Sequence, residues 1–148
     1  MPPVARPSGL ASPQVCEPLR PPIKNIFDYK LTYSNVGTTP PGAGTVTQAH
    51  IHFGKSRDSG GILVFFCSNN IIGNGSTATS ACPAISGMVP GTWTAASVLA
   101  IPTQNVNAGD VDALMDALNA NTAYANVHTA AFGAGEIRGQ CRSGDLDE

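Results

Sequence analysis

Three histidines, His50, His52 and His128, are the only ones in the chain, and they fall in two strand-like segments whose spacing suits convergence on one site. His50 and His52 stand one residue apart in TVTQAHIHFG, residues 45–54, a stretch rich in β-branched and aromatic residues that reads as a strand. Side chains alternate across a strand, so the two histidines share one face while Ala49, Ile51 and Phe53 share the other. An HxH pair sets two imidazoles about 6–7 Å apart, close enough for both to reach one ion. His128 lies in a second strand-like segment, 124–129. There Ala125 and Val127 point to the core, and Asn126 and His128 point away. All three histidines are therefore expected on the outer, loop-covered side of a sheet, converging on one site. Three neutral imidazoles suit copper or zinc in a mononuclear site with a position left open for water or substrate. The competing reading is a set of hydrogen-bonded structural histidines without a metal.

Asn126, Glu136 and Arg138 are the polar residues placed to orient those imidazoles. Asn126 shares the face of His128, and Glu136 and Arg138 share a face of the segment that follows it. A solvated ladder of charges on a sheet surface is the plainer account of Glu136 and Arg138.

The elements that must hold these residues are short strands. Residues 27–36, FDYKLTYSNV, place Phe27, Tyr29, Leu31 and Tyr33 at alternate positions, the pattern of a half-buried strand. Residues 62–67 are continuously apolar, as in a strand buried on both faces. Residues 88–95 read as a strand in which Pro90 and Gly91 indicate an edge or a bulge. Residues 124–129 and 136–141 close the set, joined by a turn at 133–135. One helix is expected over 110–120, where Val111, Leu114, Met115 and Leu118 form an apolar stripe behind capping residues. The fold class is all-β: an antiparallel Greek-key sandwich or barrel with one short crossover helix.

Residues 1–25 hold seven of the twelve prolines and read as an irregular arm; 26–142 form the β-domain; 143–148 are an acidic tail. Only 12% of the residues are charged, against about 25% in a typical protein, and the net charge is −2. No basic block offers a nucleic-acid footprint, and no apolar run is long enough to span a membrane. The four cysteines, Cys16, Cys67, Cys82 and Cys141, show no zinc-finger spacing. Their even number in a low-charge chain favours disulfides and an extracellular setting. Of the three possible pairings, Cys67 with Cys82 and Cys16 with Cys141 is favoured, because the segment between Cys67 and Cys82 is a polar, glycine-rich loop. That loop carries a sequon at Asn74-Gly75-Ser76. The first fifteen residues contain no apolar segment of the secretory type, so the extracellular reading expects a signal that this sequence does not contain.

The segments VTQAHIHFG, GGILVFFC with its later CP, GTWTAASV and AYANVHTAAFGAGEIRGQ resemble, in this order, the CHRD domain family, named after chordin. The resemblance covers residues 27–141 and implies a domain of secreted proteins. The family's opening hairpin, similar to G-x-x-E-V-P-P-V-x-T, has only Pro2-Pro3-Val4 as a counterpart here. A weaker resemblance links His50-Ile51-His52 and Val127-His128 to the copper strands of copper-zinc superoxide dismutases. The histidine that bridges the two metals of those enzymes has no counterpart, so the resemblance implies at most a copper-only site. Three functions follow as expectations: a secreted module binding copper or zinc; a metal-free extracellular domain with a structural or protein-binding role; or a copper-dependent dismutase-like enzyme in which Arg138 steers an anion.

Overall fold

The computed structural model describes residues 25–38, 44–69 and 80–141, together with the backbone of 15–19. Its strands are β1 (Val15–Leu19), β2 (Phe27–Tyr33), β3 (Val46–Phe53), β4 (Ile62–Ser68), β5 (Gly87–Trp93), β6 (Ala123–Thr129) and β7 (Ile137–Cys141). They form two antiparallel sheets, one ordered β1-β2-β5 and the other β4-β3-β6-β7. Neither sheet closes on itself, so the architecture is a sandwich and not a barrel.

The alternation in β2 decides its packing. Phe27, Tyr29, Leu31 and Tyr33 are buried, and the residues between them are exposed or half-buried. Between the sheets, Tyr29 stacks on Trp93 of β5 at 4.3 Å and meets the edge of Phe66 from β4 at 5.3 Å. The polar ends of both large rings find acceptors, as buried aromatics require. Trp93 Nε1 donates to the carbonyl of Phe65, and the Tyr29 hydroxyl donates to that of Phe66, each at 2.7 Å. Both carbonyls lie on β4, an outer strand of its sheet, where the Leu99 N–H also donates to Leu63 and Ser80 accepts from the Ser68 N–H.

Pro90 does lie on an edge strand, β5. β1 is a departure from the irregular arm expected for residues 1–25. Val15–Leu19 pairs antiparallel with β2, from Val15 opposite Thr32 to Leu19 opposite Asp28. Pro18 is compatible with this because β1 is the sheet's other edge, where a missing donor breaks no ladder. Helix α1 (Val111–Asn119) starts where Asp110 accepts a hydrogen bond from the Ala113 N–H, and it buries Val111, Leu114, Ala117 and Leu118. Cys67 and Cys82 are joined in a disulfide. Cys141 is also disulfide-bonded, but its expected pairing falls on the Cys16 side chain, outside the described residues. The sequon, the opening hairpin's counterpart and the acidic tail lie outside them too.

Two features of this frame bear on the histidines. β3 runs between β4 and β6, so its residues have neighbours on both sides. Its register against β4 slips twice, between Ala49 and His50 and between Ile51 and His52, which places bulges beside the HxH segment. The outer face of such a sheet is ordinarily solvated. Here every residue of β6 is buried on both faces, because loops 54–60 and 130–135 fold over the outside.

Candidate metal centre

Alternation and register bring the three histidines to one face. His50 pairs with Asn126, Gln48 with His128 and His52 with Tyr124 across β3 and β6. His50 is 1% exposed and His128 6%, while His52 is half-buried. The His50 ring lies between the others, 4.5 Å from His52 and 4.4 Å from His128, centre to centre. His52 and His128 stand farther apart, 6.5 Å between ring centres. One nitrogen from each ring lies within 4.8 Å of the other two.

The loops decide which nitrogens those are. His52 Nδ1 is 2.7 Å from the Gly60 carbonyl oxygen, and His128 Nδ1 is 2.8 Å from that of Gly133. A carbonyl only accepts, so both Nδ1 atoms carry the proton, and the lone pair of each neutral ring sits on Nε2. Those two Nε2 atoms, with Nδ1 of His50, are buried ring nitrogens without a hydrogen-bond partner. Neutrality of the rings follows from their surroundings. Burial, and then the neighbouring histidines, push His50 down to about 2. Burial also lowers His52 and His128 against the raising effect of their carbonyl bonds, and the charge of Arg138 adds to the lowering.

The walls are aromatic. Phe65 meets His50 edge-on at 5.1 Å, and Tyr124 stacks on His52 at 4.8 Å with the rings 6° from parallel. The Arg138 guanidinium lies 5.0 Å from the Tyr124 ring centre, so the phenol is flanked by a histidine from β3 and a cation from β7. Arg138 also donates to the carbonyls of Ser56 and Asp58 and holds loop 54–60 down. Gln140 and Tyr124 assist, accepting from the N–H groups of Ser56 and Gly60. Asn126 is buried and donates to the Ala134 carbonyl, fixing the loop that presents Gly133 to His128.

Arg138 and Asn126 thus bond the two loops whose carbonyls meet His52 and His128. Glu136 does not reach them: its carboxylate accepts from the Gly37 N–H and the Thr129 hydroxyl, tying the turn near Gly37 to β6. Tyr124, Phe65 and the two glycine carbonyls are parts of the site beyond those expected. Alternation from His128 and Asn126 reaches Tyr124. Phe65 sits in a run without alternation, and a backbone carbonyl carries no side-chain signal.

A family model of the CHRD domain matches residues 22–141. No curated protein and no solved structure matches the chain.

Proposed function

The chain belongs to the CHRD domain family, and from that premise we propose that it is a secreted metal-binding module whose mononuclear copper or zinc site is formed by His50, His52 and His128. The observation that carries this reading is the set of three buried, partnerless ring nitrogens facing one another. Leaving one buried acceptor unsatisfied costs about 1–3 kcal/mol. Three together would remove several kcal/mol from a fold whose net stability is on the order of 5–15 kcal/mol. An ion shared by the three nitrogens offsets that penalty.

His52 and His128 would ligate through Nε2 and His50 through Nδ1, with the carbonyls of Gly60 and Gly133 holding two of the rings in the ligating tautomer. Copper, when bound, supplies one-electron chemistry, and zinc supplies Lewis acidity. The chain's own part is to keep the rings neutral, oriented and shielded by Phe65 and Tyr124. The metal-free alternative, in which the histidines only tie down loops, accounts for the two Nδ1 bonds but leaves the three inward nitrogens unexplained. A dismutase-like role is disfavoured by Arg138, whose guanidinium is committed to loop carbonyls. The family and the Cys67–Cys82 disulfide support the extracellular setting.

Metal analysis of protein purified without chelators tests the proposal, together with titration of the metal-free form. One equivalent of copper or zinc is expected, lost in His50→Ala and His128→Ala. Uptake of neither ion at micromolar concentration would refute it.

A further inference from the structure

We propose, resting on the three-histidine reading, that the site selects its ion by charge and holds monovalent copper in preference to divalent copper or zinc. The donor set is neutral throughout: three imidazole nitrogens and, among the described residues, no carboxylate or thiolate in the group. The nearby acids are turned elsewhere. The Asp58 carboxylate accepts from the Lys55 N–H within its own loop, and Glu136 is bonded to Gly37 and Thr129. The charged side chain next to the aromatic wall is a cation, Arg138, whose guanidinium lies 5.0 Å from the centre of the Tyr124 ring that stacks on His52.

An ion entering this site therefore brings its full charge among neutral, aromatic-walled donors, and the guanidinium beyond Tyr124 offers it no counter-charge. The penalty for burying an uncompensated charge grows as the square of that charge, so a dication is opposed roughly four times as strongly as a monocation. Coordination number points the same way. Zinc and divalent copper would each need at least one further donor, such as water, drawn into this aromatic-walled space, whereas monovalent copper can rest with the three nitrogens alone.

The test uses the full chain in its metal-free form. Monovalent copper is titrated without oxygen, in the presence of ascorbate, against a chromophoric copper(I) chelator. Divalent copper and zinc are titrated in parallel against their own indicator chelators. The dissociation constant for monovalent copper is expected to be at least a hundredfold below those for the two dications. Equal or tighter binding of either dication overturns the charge-selection proposal while leaving the metal site standing; failure of all three ions to bind overturns the site itself. Asn126→Asp adds an anion at a buried position paired with His50, and Arg138→Met removes the cation. Each is expected to narrow the preference at least tenfold. An unchanged ratio in a folded variant of either kind rejects charge as the basis of selection.

Discussion

The Gly60 carbonyl accepts a hydrogen bond from His52 Nδ1 at 2.7 Å, and so a loop backbone fixes which nitrogen of a strand residue faces its two neighbours. Gly133 does the same for His128 from the other loop at 2.8 Å. The two bonds make the orientation of the ring nitrogens on this face a property of loops 54–60 and 130–135 as much as of β3 and β6.

The tautomers are directly observable. Long-range nitrogen–proton correlation spectra of the metal-free protein near pH 7.5 should show His52 and His128 protonated on Nδ1 and bare on Nε2. Added metal should then move Nε2 of both rings and Nδ1 of His50. An Nε2-protonated His52 or His128 in the metal-free state would show that the carbonyls do not orient the rings.

Acid should destabilise the metal-free fold. His50 is held down to about 2 chiefly by burial, and His52 and His128 are lowered as well. In the unfolded chain each histidine takes up a proton near pH 6.5. The unfolded state therefore binds more protons below that pH, and stability present above 6.5 is lost as the pH falls. The slope approaches about 1.4 kcal/mol per pH unit for each ring held neutral. The urea midpoint of metal-free protein should drop between pH 7 and pH 5, and His50→Gln should flatten the drop. An unchanged midpoint would contradict burial of the rings in neutral form.

Much of this site is legible in residue order alone, because alternation acts over two or three residues. His50 and His52 fall opposite Ala49 and Ile51 whatever the rest of the chain does, and the burial of β2 follows its own pattern in the same way. What alternation does not carry is anything set by distant pairing. β1 forms in a proline-rich arm because β2 presents a free edge to it. Glu136 turns to Gly37, nearly a hundred residues earlier in the chain, and no local pattern predicts that contact. The choice between Nδ1 and Nε2 depends on loop carbonyls, which are alike for every residue type.

Loop 130–135 offers a matched pair of substitutions. Gly135 has φ +107°, and a Cβ there would stand 1.8 Å from Asn126 Oδ1, the residue that holds this loop. A Cβ on Gly133 meets nothing within 4 Å. Gly135→Ala should cost about 1–3 kcal/mol and weaken metal binding several-fold, because Asn126 must shift and carry the His128 carbonyl partner with it. Gly133→Ala should stay within about 0.5 kcal/mol of the parent. Thermal or urea denaturation, with a metal titration of each variant, compares them. Equal behaviour of the two would remove the role given to Asn126 in placing the loop.

Trp93 separates the scaffold from the site. It is the chain's single tryptophan, 2% exposed, and its Nε1 donates to the carbonyl of Phe65, whose ring packs on His50. The contact joins the two faces of one residue: the carbonyl serves the core between the sheets, and the side chain serves the histidine face. Trp93→Phe deletes the donor and part of the stack on Tyr29, and it leaves the buried Phe65 carbonyl without its partner. A loss of about 1–3 kcal/mol is expected from the hydrogen bond alone. Phe65 is still held by the β3 ladder, where it pairs with His50, so its ring should keep its place. The variant should therefore unfold at clearly lower urea concentration yet bind metal within about threefold of the parent, a shift of under about 0.7 kcal/mol. Loss of metal on the scale of His50→Ala, in a variant that is still folded, would mean that the intersheet core and the histidine face form one cooperative unit, and that the carbonyl of Phe65 positions the site directly.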